Sequence, residues 1–158
     1  MYKILACLLL PFLAVGQNTI GFPEVINYSR QEYMGGLQNW DVEQDASTGI
    51  IFFANNEGLL SFDGKYWNLY PLPNKTIVRS VKSGVSGKIY VGGQDELGYF
   101  APNPSGILTY HSLLPQLPEK ERSFGDIWDI VPFHMDIFFR SSGKIFQITE
   151  RNSLSFNA

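Results

Sequence analysis

Few residues in this chain of 158 are of the kinds that do covalent chemistry. There are two histidines, His111 and His134, and one cysteine, Cys7. Neither histidine has a second ligand at metal spacing, no Gly-x-Ser-x-Gly elbow occurs, and no glycine-rich phosphate loop leads into a helix. The adjacent acids Asp95 and Glu96 bring glycoside hydrolysis to mind. Neighbouring residues of a strand point to opposite faces, however, so this pair alone cannot set two carboxylates across one bond. Neither catalysis, a metal nor a cofactor is expected. Recognition chemistry is better represented, by Trp40, Arg79 and Trp128 together with Asn55, Asn56, Gln94 and Asp95. Aromatic faces beside amides and a carboxylate suit a sugar-like polyol, which asks for stacking plus directed hydrogen bonds. The same Asn-Asn-Glu-Gly58 run is also ordinary turn chemistry, and the tryptophans could equally serve as packing between layers.

These residues fall at corresponding places in an internal repeat. Residues 49–62 align with 87–100 at a shift of 38 without a gap, so that Ile51 meets Ile89, Phe52 meets Tyr90, Leu59 meets Leu97 and Phe62 meets Phe100. A further shift of 48 brings in Ile137-Phe-Phe139 and Ile145-Phe-Gln-Ile148 as a third, more divergent copy. β-branched and aromatic runs broken by turn residues predict short strands. In the first copy these are 40–44, 50–54, 59–62 and 66–70, with Asp63-Gly64 as a tight type I′ hairpin. The second copy predicts 78–82, 88–92, 97–101 and 108–111; the third predicts 127–131, 136–140, 144–149 and a last strand over 154–156. Helix has almost no support. Four-stranded units at this period are the pattern of β-propeller blades. The expected fold is therefore all-β: a lead-in over 17–38, blades over 39–73, 74–118 and 119–158, and a ring that is not closed. In an up-and-down blade, the opening of the first strand and the turn between the second and third lie at one end. That geometry is what would gather the seven recognition residues.

Composition agrees with a compact fold and excludes other classes. Hydrophobic residues make up 44%, aromatics 15% and charged residues only 17%, too few charges and too many rings for a disordered chain. The formal charge of −3 gives no electrostatic footprint for nucleic acid. Residues 1–16, MYKILACLLLPFLAVG, have the basic start, short apolar run and small-residue ending of a secretory signal peptide. The run is too short to span a bilayer. Its removal would also remove Cys7; a lipid anchor on Cys7 is disfavoured because the apolar run follows it. The mature chain is expected to be exported, without a transmembrane segment.

Gly21-Phe-Pro23, Asn39-Trp-Asp-Val42, Phe52-Phe-Ala-Asn-Asn-Glu-Gly58, Phe62-Asp-Gly64, Val78-Arg-Ser80, Gly87-Lys-Ile-Tyr-Val-Gly92 and Glu96-Leu-Gly-Tyr-Phe100 follow one another in order. This series resembles the opening of the two-component-regulator propeller sensors of Bacteroidetes, including those with a triple-tyrosine domain. The resemblance implies a periplasmic propeller that senses a small-molecule or oligosaccharide ligand and signals to a cytoplasmic output. On that basis the chain is expected to be the N-terminal fragment of a longer sensor, whose remaining blades lie elsewhere. Two alternatives stay open: a secreted interaction module that uses open blade edges for strand addition, and, more remotely, a piece of a glycan-acting propeller enzyme.

Overall fold

The computed structural model describes residue 21, residues 23–84 and 87–149, and the backbone of residues 153–155. The expected signal peptide lies outside the described residues. Among the described residues twelve strands form three antiparallel sheets, each with its strands in chain order. The first sheet holds β1 (Asn39–Gln44), β2 (Ile51–Asn55), β3 (Gly58–Phe62) and β4 (Trp67–Tyr70). The second holds β5 (Val78–Ser83), β6 (Ile89–Gly93), β7 (Glu96–Pro102) and β8 (Leu108–Ser112). The third holds β9 (Ile127–Phe133), β10 (Asp136–Ser141), β11 (Ile145–Thr149) and β12 (Ser153–Ser155). This is the expected all-β, partial propeller with no closed ring.

The sheets stack face to face, and two apolar cores fill the two gaps. Phe52, Ala54 and Leu59 of the first sheet meet Val78, Val81, Ile89, Val91 and Phe100 of the second. Tyr90 and Leu97, on the second sheet's other face, meet Ile127, Ile130, Ile137, Phe139, Phe146 and Ile148 of the third. Period-two alternation makes this possible, because successive residues of one strand serve opposite gaps. The opening strands β1, β5 and β9 lie side by side, and at each junction a side chain of one bonds to the backbone of the next. Asp41 Oδ2 accepts the Val81 amide at 3.0 Å, and Ser80 Oγ donates to the Ile127 carbonyl at 2.9 Å.

Stacking this close requires small residues beneath the next sheet's first strand. A Cβ on Gly92 would lie 2.3 Å from Ile127 Cγ2. At the aligned place in the first sheet stands Ala54, fully buried in the same core as Val78.

Two expectations need correcting. Asp63-Gly64 is not a type I′ pair, since only Gly64 has positive φ, at 96°. The loop runs from Asp63 to Tyr66, and Asp63 Oδ1 accepts the amides of Lys65 and Tyr66 at 2.8 and 2.7 Å. An aspartate that satisfies two loop amides itself has no need of the tighter turn. Among the described residues helix is also present, as the single turn α1 (Arg30–Tyr33) and two 3₁₀ turns, Leu114–Gln116 and Glu119–Glu121. The lead-in that carries α1 covers the outer face of the first sheet. Tyr28 and Tyr33 pack against Trp67 with centroids 5.3 and 5.9 Å away, and Trp67 stacks on Phe62 at 4.5 Å.

Gly92→Ala should cost about 1–3 kcal/mol by overpacking the gap beneath Ile127, read as a lower urea midpoint with an unchanged slope. A second prediction concerns Asp45, which closes the β1–β2 connection. Its carboxylate accepts from Thr48 Oγ1 at 2.7 Å and from the Ser47 hydroxyl and amide, and these bonds, that of Thr48 first, hold its pKa below the ordinary carboxylate value. A folded pKa below the unfolded value of about 3.9 stabilises fully above that value and is lost as pH falls through the folded pKa. Asp45→Asn should therefore lower the urea midpoint at neutral pH, with the difference from wild type shrinking in acid.

Candidate functional site

Each opening strand carries one residue without a cross-strand partner, at the same place. Asn39 pairs with Asn55 and Asp41 with Ala54, so Trp40 is left between them. Val78 pairs with Gly93 and Ser80 with Gly92, leaving Arg79. Ile127 pairs with Ser141 and Asp129 with Arg140, leaving Trp128. A β-bulge releases its extra residue from the pleat and re-aims the side chain. Three bulges in register thus turn Trp40, Arg79 and Trp128 toward one another at one end of the stacked strands.

Arg79 is the centre of the group. Its guanidinium carbon lies 4.0 Å from the Trp40 ring centroid and 5.5 Å from that of Trp128. Nε donates to Asp126 Oδ1 at 3.1 Å, an ion pair whose side chains are 14% and 21% exposed. Such a planar cation, desolvated on its faces and neutralised at one edge, is held rigidly. One terminal nitrogen, Nη1, is buried and has no hydrogen-bond partner. The two rings remain 42% and 40% exposed and lie outside both apolar cores, each against the arginine of the middle sheet. Each indole N–H is fixed by the turn between its own sheet's second and third strands. Trp40 Nε1 donates to Asn56 Oδ1 at 2.6 Å, and Trp128 Nε1 to Ser142 Oγ at 3.3 Å. The result is a rigid platform of two oriented indoles separated by a cation.

The other expected residues divide by role. Asn56 is at the platform. Gln94 is exposed and bridges through its backbone to Asp126, beside the arginine's partner. Asn55 and Asp95 instead hold backbone. Asn55 is fully buried; its Oδ1 accepts the amides of Gly36 and Glu57, and its Nδ2 donates to the Gly36 and Gln38 carbonyls and to Asn39 Oδ1. Asp95, at φ 49°, accepts the amides of Phe124 and Gly125 at 2.6 and 2.7 Å and so ties the second sheet's turn to the approach of β9. Asp126 and Ser142 are the residues that sequence reasoning missed. Asp126 stands immediately before the strand that opens on Ile127-Trp128, which is the one local signal for it.

Glu96, beside Asp95, instead sits in a buried network. It accepts from Tyr110 Oη at 2.9 Å and Ser112 Oγ at 2.8 Å, and Asn74 Nδ2 approaches at 3.3 Å. Burial, and then the neighbouring carboxylate, push the Tyr110 phenol far above its ordinary range, so this pair is a structural strut. Among the described residues no cluster of three metal-ligating side chains occurs, and no helix is long and apolar enough to cross a membrane.

No protein-family model matches the sequence, and no curated protein matches it. Among solved structures the chain is similar to the extracellular domain of "the putative one component system BT4673 from B. thetaiotaomicron", with a TM-score of 0.58 and 14% identity. The likeness is one of fold. It covers 86% of this chain but only 17% of that one, so the chain spans a small part of its neighbour's length.

The Arg79–Asp126 pair makes a quantitative prediction. Removing Arg79 alone leaves a partly buried carboxylate without its cation, so Arg79→Ala should destabilise by about 1–3 kcal/mol, and Arg79/Asp126 double-alanine by less than the sum of the singles. Additivity in urea melts of the four proteins would refute the coupling.

Proposed function

We propose that the chain is part of an exported, periplasmic ligand-sensing propeller of a bacterial signal-transduction regulator, and that Trp40, Arg79 and Trp128, with Asn56 and Gln94 beside them, receive a carbohydrate-like ligand. The observation that carries this reading is the triple bulge: three sheets depart from regular pairing at one aligned residue, and the departures converge. Three aligned departures from regular pairing that converge on one partly exposed surface support a role for that surface. Two half-exposed indoles with fixed tilt offer stacking faces, and the arginine, amide and carboxylate groups between them offer directed hydrogen bonds. The ordered sequence resemblance to propeller sensors and the fold shared with an extracellular domain of a one-component system favour sensing over catalysis.

Two of the three tryptophans belong to the platform, so intrinsic fluorescence is a direct probe. Titration of the purified chain with a panel of neutral and acidic oligosaccharides should give a saturable change with at least one of them. Trp40→Ala should then weaken binding about tenfold or more, equivalent to ~1.4 kcal/mol. Trp67→Phe, distant from the platform, should leave the affinity unchanged. A response abolished by Trp67→Phe but insensitive to Trp40→Ala would remove the platform as the site, and release of shorter sugars during incubation would favour the enzyme instead.

A further inference from the structure

The two junctions between sheets follow one chemical rule, and the outer face of the third sheet breaks it. Four aligned positions in β2 and β3, or their counterparts, face the following sheet. In the first sheet they are Phe52, Ala54, Leu59 and Ser61, all buried. In the second they are Tyr90, Gly92, Leu97 and Tyr99, of which the first three are buried and the last partly so. In the third sheet they are Phe138, Arg140, Ile145 and Gln147. Phe138 is half-buried and Ile145 is 57% exposed, an apolar ledge of the same kind. Where Ala54 and Gly92 leave room for Val78 and Ile127, however, stands Arg140.

Arg140 pairs with Asp129 directly across the strands. Asp129 is in turn the counterpart of Asp41 and Ser80, the two residues that bond to the next sheet's opening strand. Beside this pair runs a groove of about 870 Å³, lined by Lys120, Glu121, Arg140, Lys144, Ile145 and Phe146 among others. Lys144 is tied to Glu121 at 2.7 Å and Arg140 to Asp129, which leaves Lys120 as the cation of the lining without an ion pair among the described residues.

We propose that this face is an interaction surface for a further blade-like sheet whose opening strand carries a carboxylate where the earlier junctions carry Val78 and Ile127. Such an acid would take Arg140 from Asp129. The freed Asp129 carboxylate could then accept a backbone amide of the incoming strand, as Asp41 accepts that of Val81. An aliphatic residue at that place would instead bury the Arg140–Asp129 pair without compensation, which is costly. A second copy of this chain is the poorer occupant, since the outer face of its first sheet is already covered by Tyr28 and Tyr33. The inference rests on the reading that the chain works within a larger propeller.

The test adds a sheet to the full chain. Residues 74–118 are appended after Ala158, which makes the connection from β12 as long as that between β4 and β5. Two versions are compared, one with Val78 in the appended copy and one with Val78→Asp there. The Asp version should melt higher than the Val version by about 3 °C or more and protect the β9 and β10 amides from exchange. Arg140→Ala in the host should reverse that order. If the Val version seats as well beside Arg140, the acidic requirement is wrong while the larger propeller survives. If neither version changes melting or protection, both readings fall. A dimer of the unmodified chain that Arg140→Glu abolishes in sedimentation would name a second copy as the occupant and overturn the proposal.

Discussion

Everything in this molecule depends on how closely one sheet can lie on the next. The gap between sheets is filled by side chains from both faces, and at the opening strand it narrows until only Ala54 or Gly92 fits beneath Val78 or Ile127. That closeness brings the edges of β1, β5 and β9 within hydrogen-bonding range, so that side chains of one strand satisfy backbone groups of its neighbour. Each sheet is thereby stabilised through its neighbours, as in other repeat architectures, and the polar links fix the angular register that apolar packing alone leaves loose.

The candidate site follows from that register. A bulge in a single strand would place one side chain at the end of one sheet. Repeated at the aligned residue of three sheets held a fixed step apart, it gathers an arginine between two indoles. The turns opposite supply an amide and a hydroxyl that orient the rings, and Asp126 neutralises the cation that would otherwise be costly to cover. Phe52, Tyr90 and Phe139 fill the apolar gaps, while Trp40 and Trp128 lie outside both cores and meet Arg79 at one end of the stacked sheets.

Much of the fold was legible because the repeat is strong between Gly49 and Phe100, and alternating aromatic and β-branched residues leave little choice of secondary structure. Strand edges were placed within a residue or two. The site was legible in part. Trp40, Arg79 and Trp128, at the openings of aligned strands, are side chains that the structure brings together, whereas Asn55 and Asp95, which look like exposed turn residues, bracket neighbouring backbone. Polar turn residues carry no mark that tells a ligand-facing side chain from one that bonds to a connection arriving from elsewhere in the chain. Asp126 was missed for the complementary reason, as its role exists only beside an arginine 47 positions away.

By itself, the sequence determined the strands, their grouping into three similar units and the residue types available for recognition, since these follow from local alternation and from self-similarity. Only the tertiary structure decided which of those residues meet. Whether Trp40 faces Arg79 depends on a bulge, on a small residue beneath the next strand and on the bond from Asp41 to Val81, and each of these is a relation between residues far apart in the chain. The same holds for Arg140, an unremarkable strand residue by sequence, whose significance appears only when the sheets are laid over one another and its counterparts prove to be alanine and glycine.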